Sequence, residues 1–126
     1  MQAEYRAWLR ANADIPVYMI EPHNDIPASR RYPQAEIEER FACRLCRGEH
    51  EVRSFYGGST SYAIPLAMFL GYRRIELYGI ELRALEYVEE CDTFFFWLGK
   101  ASALGMDIVT HEDSRLFQDV IYGRKK

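Results

Sequence analysis

The chain has 126 residues, of which 48% are hydrophobic and 28% are charged, and its formal net charge is -3. A chain of this length and composition can bury enough surface to fold without a metal or a disulfide framework, which excludes a disordered protein. The small negative charge offers no attraction to nucleic acid or to an anionic membrane, and no apolar run reaches the ~20 residues that a membrane-spanning helix needs. We therefore expect one domain over residues 1–126, located in the cytoplasm, with neither nucleic acid nor a membrane as partner.

The amino-terminal part of the chain predicts a helix, a strand, a loop and a second helix. Apolar residues recur at helical spacing over residues 2–12, and residues 16–20 are a β-prone run that predicts a buried strand. Three prolines make residues 21–33 a loop. From residue 34 to about residue 47 the apolar positions form one stripe, with acidic residues early and basic residues late, which predicts a helix.

The middle of the chain predicts a strand, a tight turn and a buried helix. Residues 51–56 are a candidate short strand that leads into the turn at Gly57, and the helix runs from about residue 60 to residue 70. That helix is apolar on nearly every side, so we expect it to be largely buried. Pro65 lies inside it and should kink it or confine its regular part to later residues, and Gly71 is its natural carboxyl cap.

Strands and helices continue to alternate to the end of the chain. We predict a strand over residues 74–80, a long helix over residues 82–104, a strand over residues 106–110 and a terminal helix over residues 113–120. Strands separated by helices imply parallel pairing. The predicted fold is therefore α/β, with a small, open, mostly parallel Rossmann-like sheet of three to four strands flanked by helices on both faces. Such folds usually open with a strand, whereas this chain opens with a helix, so we expect a domain shortened at its amino terminus.

The turn before the third helix is the strongest candidate for a ligand site. Backbone N–H groups, two or three hydroxyls and the positive end of the helix can converge there on a phosphate. A plain helix start with a good cap explains the same residues equally simply. The turn has no Lys or Arg to complete a P-loop, which argues against a nucleoside triphosphatase. Its candidate ligand-binding residues are Gly57, Gly58, Ser59, Thr60 and Ser61.

A second group of candidate ligand contacts follows the predicted strand at residues 74–80. Glu81 comes directly after that strand, and Glu86 and Tyr87 follow in the next helix. In open α/β sheets, ligands gather at the carboxyl ends of the strands, where an acidic side chain can accept hydrogen bonds from ribose hydroxyls. Solvated glutamates at a helix start are the alternative.

The cysteines and histidines predict no metal and no cofactor. Three cysteines in a chain without a secretory signal indicate reduced thiols. Cys43 and Cys46, near His50, lack the second pair that a four-ligand zinc site needs. His23 and His111 follow predicted strands, a placement compatible with acid–base chemistry, but no partner nucleophile is identifiable by spacing.

The run Phe94-Phe95-Phe96-Trp97 places aromatic rings on nearly every side of one helix. A single core-facing stripe cannot cover all of them, so some rings should meet another layer or another chain. Because the chain is small, we expect a homo-oligomer.

Two groups of residues carry a resemblance to known proteins. The first group resembles the core signature of the Rossmann-like superfamily that contains the Campylobacter-type sialyltransferases and flagellin-modification proteins. It consists of Ser59-Thr60-Ser61-Tyr62, Phe69-Leu70-Gly71-Tyr72-Arg73-Arg74-Ile75 and Leu77-Tyr78-Gly79-Ile80-Glu81. A longer resemblance, from about residue 5 to residue 116, is to uncharacterised tailed-phage proteins of that type. It also covers Asp25-Ile26-Pro27-Ala28-Ser29, Tyr32-Pro33, Glu86-Tyr87, Phe96-Trp97-Leu98-Gly99 and Ser114.

The resemblance implies a nucleotide or nucleotide-sugar ligand, with Ser59 and Glu81 at the positions that contact the donor's cytidine nucleotide. If the chain is an enzyme, the implied reaction is glycosyl transfer, in the host cytoplasm if the chain is phage-encoded. The sialyltransferases carry their catalytic histidine on a lid between the strand and the next helix, and this sequence has no such insertion, so catalysis is left open. The alternative is a non-enzymatic phage accessory or interaction protein that acts as a homo-oligomer.

Overall fold

A computed structural model describes residues 1–41, 45–80 and 88–123. The chain forms two compact units, Met1–Arg40 and Phe41–Lys126. In both units helices and strands are mixed, so the fold is α/β as expected. Residues 81–87, and with them the predicted contacts Glu81, Glu86 and Tyr87, lie outside the described residues.

The first unit contains a parallel pair of short strands next to a helix. Helix α1 (Ala3–Ala11) is followed by β1 (Val17–Met19), β2 (Ser29–Arg31) and α2 (Gln34–Phe41), of which the last residue belongs to the second unit. Strands β1 and β2 pair in parallel, with Val17 opposite Ser29 and Met19 opposite Arg31. The buried apolar side chains of this unit are those of Leu9, Ile26, Ala28, Tyr32 and Ile37.

An ion-pair cluster fixes α1 to the loop between β1 and β2. Arg6 donates to both carboxylate oxygens of Asp25, at 2.9 and 2.7 Å, and Arg10 donates to one of them at 2.6 Å. Within the same loop, the Ser29 hydroxyl donates to the Ile26 carbonyl at 2.8 Å. The loop of the Asp25-Ile26-Pro27-Ala28-Ser29 motif is therefore held by its own polar side chains.

The second unit begins with a hairpin of two short strands. Strand β3 (Leu45–Arg47) pairs in antiparallel fashion with β4 (His50–Val52), with Cys46 opposite Glu51. Gly48 occupies the turn with a φ of 61°, a conformation that favours glycine.

The rest of the second unit is a parallel strand pair with two helices. Helix α3 (Ser59–Phe69) packs against α4 (Val88–Ala103), and β5 (Arg74–Leu77) pairs in parallel with β6 (Asp107–Thr110). Gly71, with a φ of 85°, ends α3, as the sequence predicts. The buried apolar side chains that serve this part of the fold are Ile64, Met68, Leu77, Phe94, Trp97, Leu98 and Ala101.

The predicted sheet of three to four parallel strands is not shown among the described residues. Their strands form three separate pairs, of which β1–β2 and β5–β6 are parallel and β3–β4 is antiparallel. The parallel pairing of the strands that flank α4 is confirmed.

Several element boundaries in the first half differ from the prediction. The second helix ends at Phe41, and the predicted residues 45–47 form a strand instead. Strand β2 lies in the segment predicted as a loop, and β1 is half-buried to exposed rather than buried, because Tyr18 is 37% exposed. Short strands of this kind are stabilised by pairing, which the local sequence pattern does not reveal.

Two further predictions concern helices. The regular part of α3 is not confined to the residues after Pro65, since the helix runs from Ser59 to Phe69. The terminal helix predicted over residues 113–120 is wrong: these residues form turns, and Phe117 has a φ of 57°, which is incompatible with a right-handed helix.

Candidate ligand site

The segment that enters α3 is fixed to one face of α4. The indole N–H of Trp97 donates to the carbonyl oxygen of Phe55 at 2.9 Å, and the backbone N–H of Gly57 donates to the hydroxyl of Thr93 at 2.9 Å. Thr93 and Trp97 are four residues apart, so they lie on the same face of the helix. Between the two hydrogen bonds, the ring of Tyr56 stacks on Tyr62 with 4.5 Å between centroids.

The two glycines allow the chain to approach α4 closely. A Cβ at Gly57 would collide with the backbone carbonyl of Glu89, and one at Gly58 would lie 2.5 Å from the Cδ of Glu90. Gly58 is in an extended conformation that any residue can adopt, and a Cβ there would meet only the flexible side chain of Glu90. Close packing against the backbone of α4 therefore explains Gly57, whereas the side chain opposite Gly58 can move aside.

Hydrogen bonds within the protein already use several of the polar groups of the turn. Gly58 N–H donates to the Ser61 hydroxyl at 3.1 Å, and that hydroxyl donates to the Gly58 carbonyl at 2.7 Å. Ser61 is 0% exposed. With the Gly57 N–H bound to Thr93, the Ser59 hydroxyl remains for a ligand, because Ser59 is exposed and forms no hydrogen bond among the described residues.

A carboxylate lies beside the start of α3. The Thr60 hydroxyl donates to Glu90 Oε1 at 3.3 Å, and Glu90 is half-buried in the described first turn of α4. A negative charge is stabilised at a helix amino terminus by the helix dipole. The same charge repels a phosphate and accepts hydrogen bonds from hydroxyl groups.

An open, mostly apolar pocket of about 280 Å³ lies between α3 and the carboxyl end of β5. One face of α3 supplies Thr60, Ala63, Ile64 and Ala67, which follow the i, i+3, i+4, i+7 spacing of a helix face. The pocket is completed by Ile75, Glu76 and Leu77 of β5, by Ile80, and by Phe94 of α4.

Of the five predicted turn residues, Thr60 lines the pocket, whereas Gly57, Gly58, Ser59 and Ser61 do not. Sequence reasoning missed Glu90, Thr93 and Phe94, which lie on α4. The available signal was their spacing, because residues 90, 93, 94 and 97 follow the i, i+3, i+4, i+7 pattern of one helix face.

The other chemical candidates stay apart from the pocket lining. His23 is half-buried in the first unit, His111 is exposed after β6, and Cys46 is exposed on β3. Cys43 lies outside the described residues. In the described part of the chain, no three His, Cys, Asp or Glu side chains are placed to hold a metal ion.

No protein-family model, curated protein or solved structure matches this chain. Among the described helices, none is both long and apolar enough to span a membrane. The assignment of a ligand therefore depends on the geometry of the pocket and of the turn beside it.

Proposed function

We propose that the second unit binds a nucleotide or nucleotide-sugar in the pocket between α3 and the carboxyl end of β5. The observation that carries this proposal is the position of the pocket, which is lined by Ile75, Glu76 and Leu77 of β5 and by Ile80, beyond that strand at its carboxyl-terminal edge. Open α/β sheets bind their ligands at that edge. We further propose that β5, α4 and β6 are part of a Rossmann-like sheet and that the protein acts in the cytoplasm, where such ligands are abundant.

The size of the pocket restricts what it can hold. Sites for whole drug-sized ligands measure about 300–1,000 Å³, and this pocket of about 280 Å³ lies just below that range. It fits one ring system, a base or a sugar, with the remainder of the ligand outside. Its apolar walls, including Ile64, Ile75 and Phe94, favour the flat faces of a base.

The polar groups at the mouth divide the ligand contacts into two kinds. Thr60 and Glu90 form a hydroxyl–carboxylate pair that suits ribose or sugar hydroxyls. Ser59, exposed at the start of α3, offers a hydroxyl and a backbone N–H to a phosphate. Glu81, Glu86 and Tyr87 remain in the proposal as sequence-based contacts.

The proposal is one of binding, and no catalytic residue is assigned. If a reaction takes place, glycosyl transfer is the class that the sequence resemblance favours. The turn would then position the donor and stabilise the departing phosphate.

The test is a thermal-shift screen of the purified chain against uridine, cytidine, their mono- and diphosphates, and CMP-sialic acid. A ligand at 100 times its dissociation constant adds about 2.7 kcal/mol to the free energy of unfolding, so Tm should rise by several degrees. A rise with at least one of these compounds supports the proposal, and no rise with any of them contradicts it.

Two variants locate the site. In Ala63→Trp, a bulky side chain enters the pocket from an exposed position on its wall, so binding should be lost while the fold is kept. Ser59→Ala should weaken a nucleotide about tenfold, the value of one hydrogen bond to a charged group. Ser102→Ala, an exposed serine in the last turn of α4, is the matched control and should leave the affinity unchanged. Equal affinity in the three variants would place the ligand elsewhere.

A second candidate, an interaction protein that acts as a homo-oligomer, is favoured by a different observation. Within the aromatic run of α4, Phe94 and Trp97 are buried and only Phe95 is exposed, so this run leaves little surface for a partner. The larger exposed apolar surface lies after Leu116, in the carboxyl-terminal segment.

A further inference from the structure

The carboxyl-terminal segment exposes an unusual concentration of apolar side chains. Leu116 is buried, at 7% exposed, and the chain then turns through Phe117, whose φ of 57° lies in the left-handed region. We refer to residues 117–126 as the tail. Its exposed apolar residues, with their exposed fractions, are Phe117 47%, Val120 77%, Ile121 58% and Tyr122 103%.

The tail has the composition of a binding peptide rather than of a solvated end. Val120, Ile121 and Tyr122 are consecutive β-branched or aromatic residues, which favour an extended conformation. They are followed in the sequence by Gly123-Arg124-Lys125-Lys126. Burial of apolar groups of this size away from water lowers the free energy. Within one chain, however, the described part of the tail stays exposed.

The pocket between α3 and β5 is likewise left open by the described residues. Its walls are almost entirely apolar, and its volume of about 280 Å³ can hold an aromatic ring or a branched aliphatic side chain with room beside it. The described part of one chain therefore presents both an exposed apolar segment and an apolar pocket that no described residue of the tail lines.

The charges of the two surfaces are complementary. The sequence from residue 76 to residue 92 contains six acidic residues and one basic residue, and two of the acidic residues, Glu76 and Glu90, lie at the pocket or in contact with its wall. Arg74 partly neutralises Glu76 at 3.1 Å. The tail carries three basic residues and one acidic residue, Asp119. An apolar, basic peptide is therefore matched to an apolar pocket with an acidic border.

We propose that the tail of one copy of this chain docks into the α3–β5 pocket of a second copy, with Ile121 or Tyr122 as the side chain that enters the pocket. Reciprocal exchange of the two tails produces a symmetric dimer. The proposal does not depend on nucleotide binding, but both would use one pocket, so ligand and tail compete.

The first measurement is the mass of the whole chain by light scattering between 1 and 200 μM protein, at low and at high salt. We expect a rise from 14.8 kDa toward twice that value with increasing concentration. The rise should shift to higher concentration in high salt, because the charge pairing is screened. A mass that stays at the monomer value to the highest concentration overturns the proposal.

Three variants assign the contact. Ile121→Asp and Tyr122→Asp should each raise the dimer dissociation constant at least tenfold, and so should Ala63→Trp, which obstructs the pocket. Leu104→Asp, which makes the same change at another exposed apolar side chain outside the pocket lining, is the control and should leave the dimer intact. Dimers that persist in the tail variants, or in the pocket variant, overturn the proposal.

A labelled peptide of residues 115–126 separates this proposal from that of nucleotide binding. By fluorescence anisotropy, the peptide should bind to the Tyr122→Asp chain, whose pocket is vacated, and not to the Ala63→Trp chain. If the peptide binds to Tyr122→Asp and no nucleotide raises the Tm of that chain, docking is supported and nucleotide binding is refuted. If a nucleotide raises the Tm of Tyr122→Asp and the peptide does not bind, nucleotide binding is supported and docking is refuted. A peptide that binds equally to Tyr122→Asp and Ala63→Trp also overturns the docking proposal.

Discussion

Trp97 holds Phe55 in place through a hydrogen bond of 2.9 Å from the indole N–H to the Phe55 carbonyl oxygen. One turn earlier on the same helix face, Thr93 accepts a hydrogen bond of the same length from the N–H of Gly57. The chain that enters α3 is thus bound to α4 at two points, and its backbone polar groups are satisfied there. This arrangement places the start of α3, and with it Thr60, at the mouth of the pocket.

The first prediction concerns the close contact at Gly57. A Cβ at this position would overlap the carbonyl group of Glu89, which belongs to helix backbone and cannot move aside cheaply. Gly57→Ala should therefore lower the free energy of unfolding by about 1–3 kcal/mol, the usual cost of an overpacked site. Urea denaturation followed by circular dichroism measures this loss.

Gly99→Ala is the matched control for that substitution. Gly99 lies inside α4, and an added Cβ there meets nothing within 4 Å. Because glycine is unfavourable in a helix interior, this variant should be more stable than the wild type by about 0.5–1 kcal/mol. An equal loss of stability in both variants would contradict the close contact of Gly57 with the backbone of α4.

The second prediction uses the different surroundings of the two tryptophans. Trp8 is 56% exposed on α1, whereas Trp97 is 2% exposed. Trp8→Phe should leave a single emitter with a short-wavelength fluorescence maximum that iodide hardly quenches. Trp97→Phe should leave a red-shifted, readily quenched emitter. The same quenching constant in both variants would contradict the burial of Trp97.

Sequence patterns predict the elements whose stabilisation is local. Helix α1, helix α3 with its carboxyl cap at Gly71, and the parallel strands around α4 all follow from apolar spacing and glycine position. The same reasoning failed for β3, which lies where a helix stripe was expected, because pairing with β4 outweighs helix propensity in so short a segment.

The candidate site was predictable only in part, because a local sequence pattern does not show which distant residues contact it. The turn from Gly57 to Ser61 has a local signature, whereas the partners of that turn, Glu90 and Thr93, lie 30 and 36 residues away in the sequence from the groups they bind. The exchange of hydrogen bonds between Gly58 and Ser61 also removes groups that the sequence offers for a phosphate. A motif cannot indicate whether its donors are already used within the protein.

The third prediction tests the role of Glu90. Its carboxylate lies beside the start of α3, where it would repel the phosphate of the proposed ligand. Glu90→Gln should tighten binding of nucleoside monophosphates by about tenfold, since one unit charge at several ångströms near a protein surface is equivalent to about 1–2 kcal/mol. Binding of the uncharged nucleosides should weaken slightly, because the amide is a poorer hydrogen-bond acceptor.

Isothermal titration of a nucleoside and of its monophosphate into the wild type and into Glu90→Gln gives, for each ligand, the ratio of the two dissociation constants. Glu89→Gln, an exposed neighbour that makes the same change of charge, is the control. A similar gain in both variants would indicate a general effect of net charge rather than a contact of Glu90 with the ligand.

The last prediction concerns the pH dependence of stability. Hydrogen bonds from Arg6 and then from Arg10 hold the pKa of Asp25 well below its ordinary value of 3.8. The folded protein therefore binds a proton at Asp25 less readily than the unfolded chain. This contribution to stability is fully present above the ordinary carboxyl pKa and is lost as the pH falls below about 4.

Asp25→Asn removes this contribution, so its Tm should be lower than that of the wild type at pH 7 and should approach the wild-type value toward pH 2.5. Asp14→Asn is the control, because Asp14 is exposed and forms no ion pair among the described residues; its Tm profile should run parallel to that of the wild type. Differential scanning calorimetry of the three proteins at low ionic strength, from pH 7 to pH 2.5, measures the curves. A constant Tm difference between Asp25→Asn and the wild type over this range would mean that the ion pairs of Asp25 with Arg6 and Arg10 contribute nothing to the acid sensitivity of the first unit.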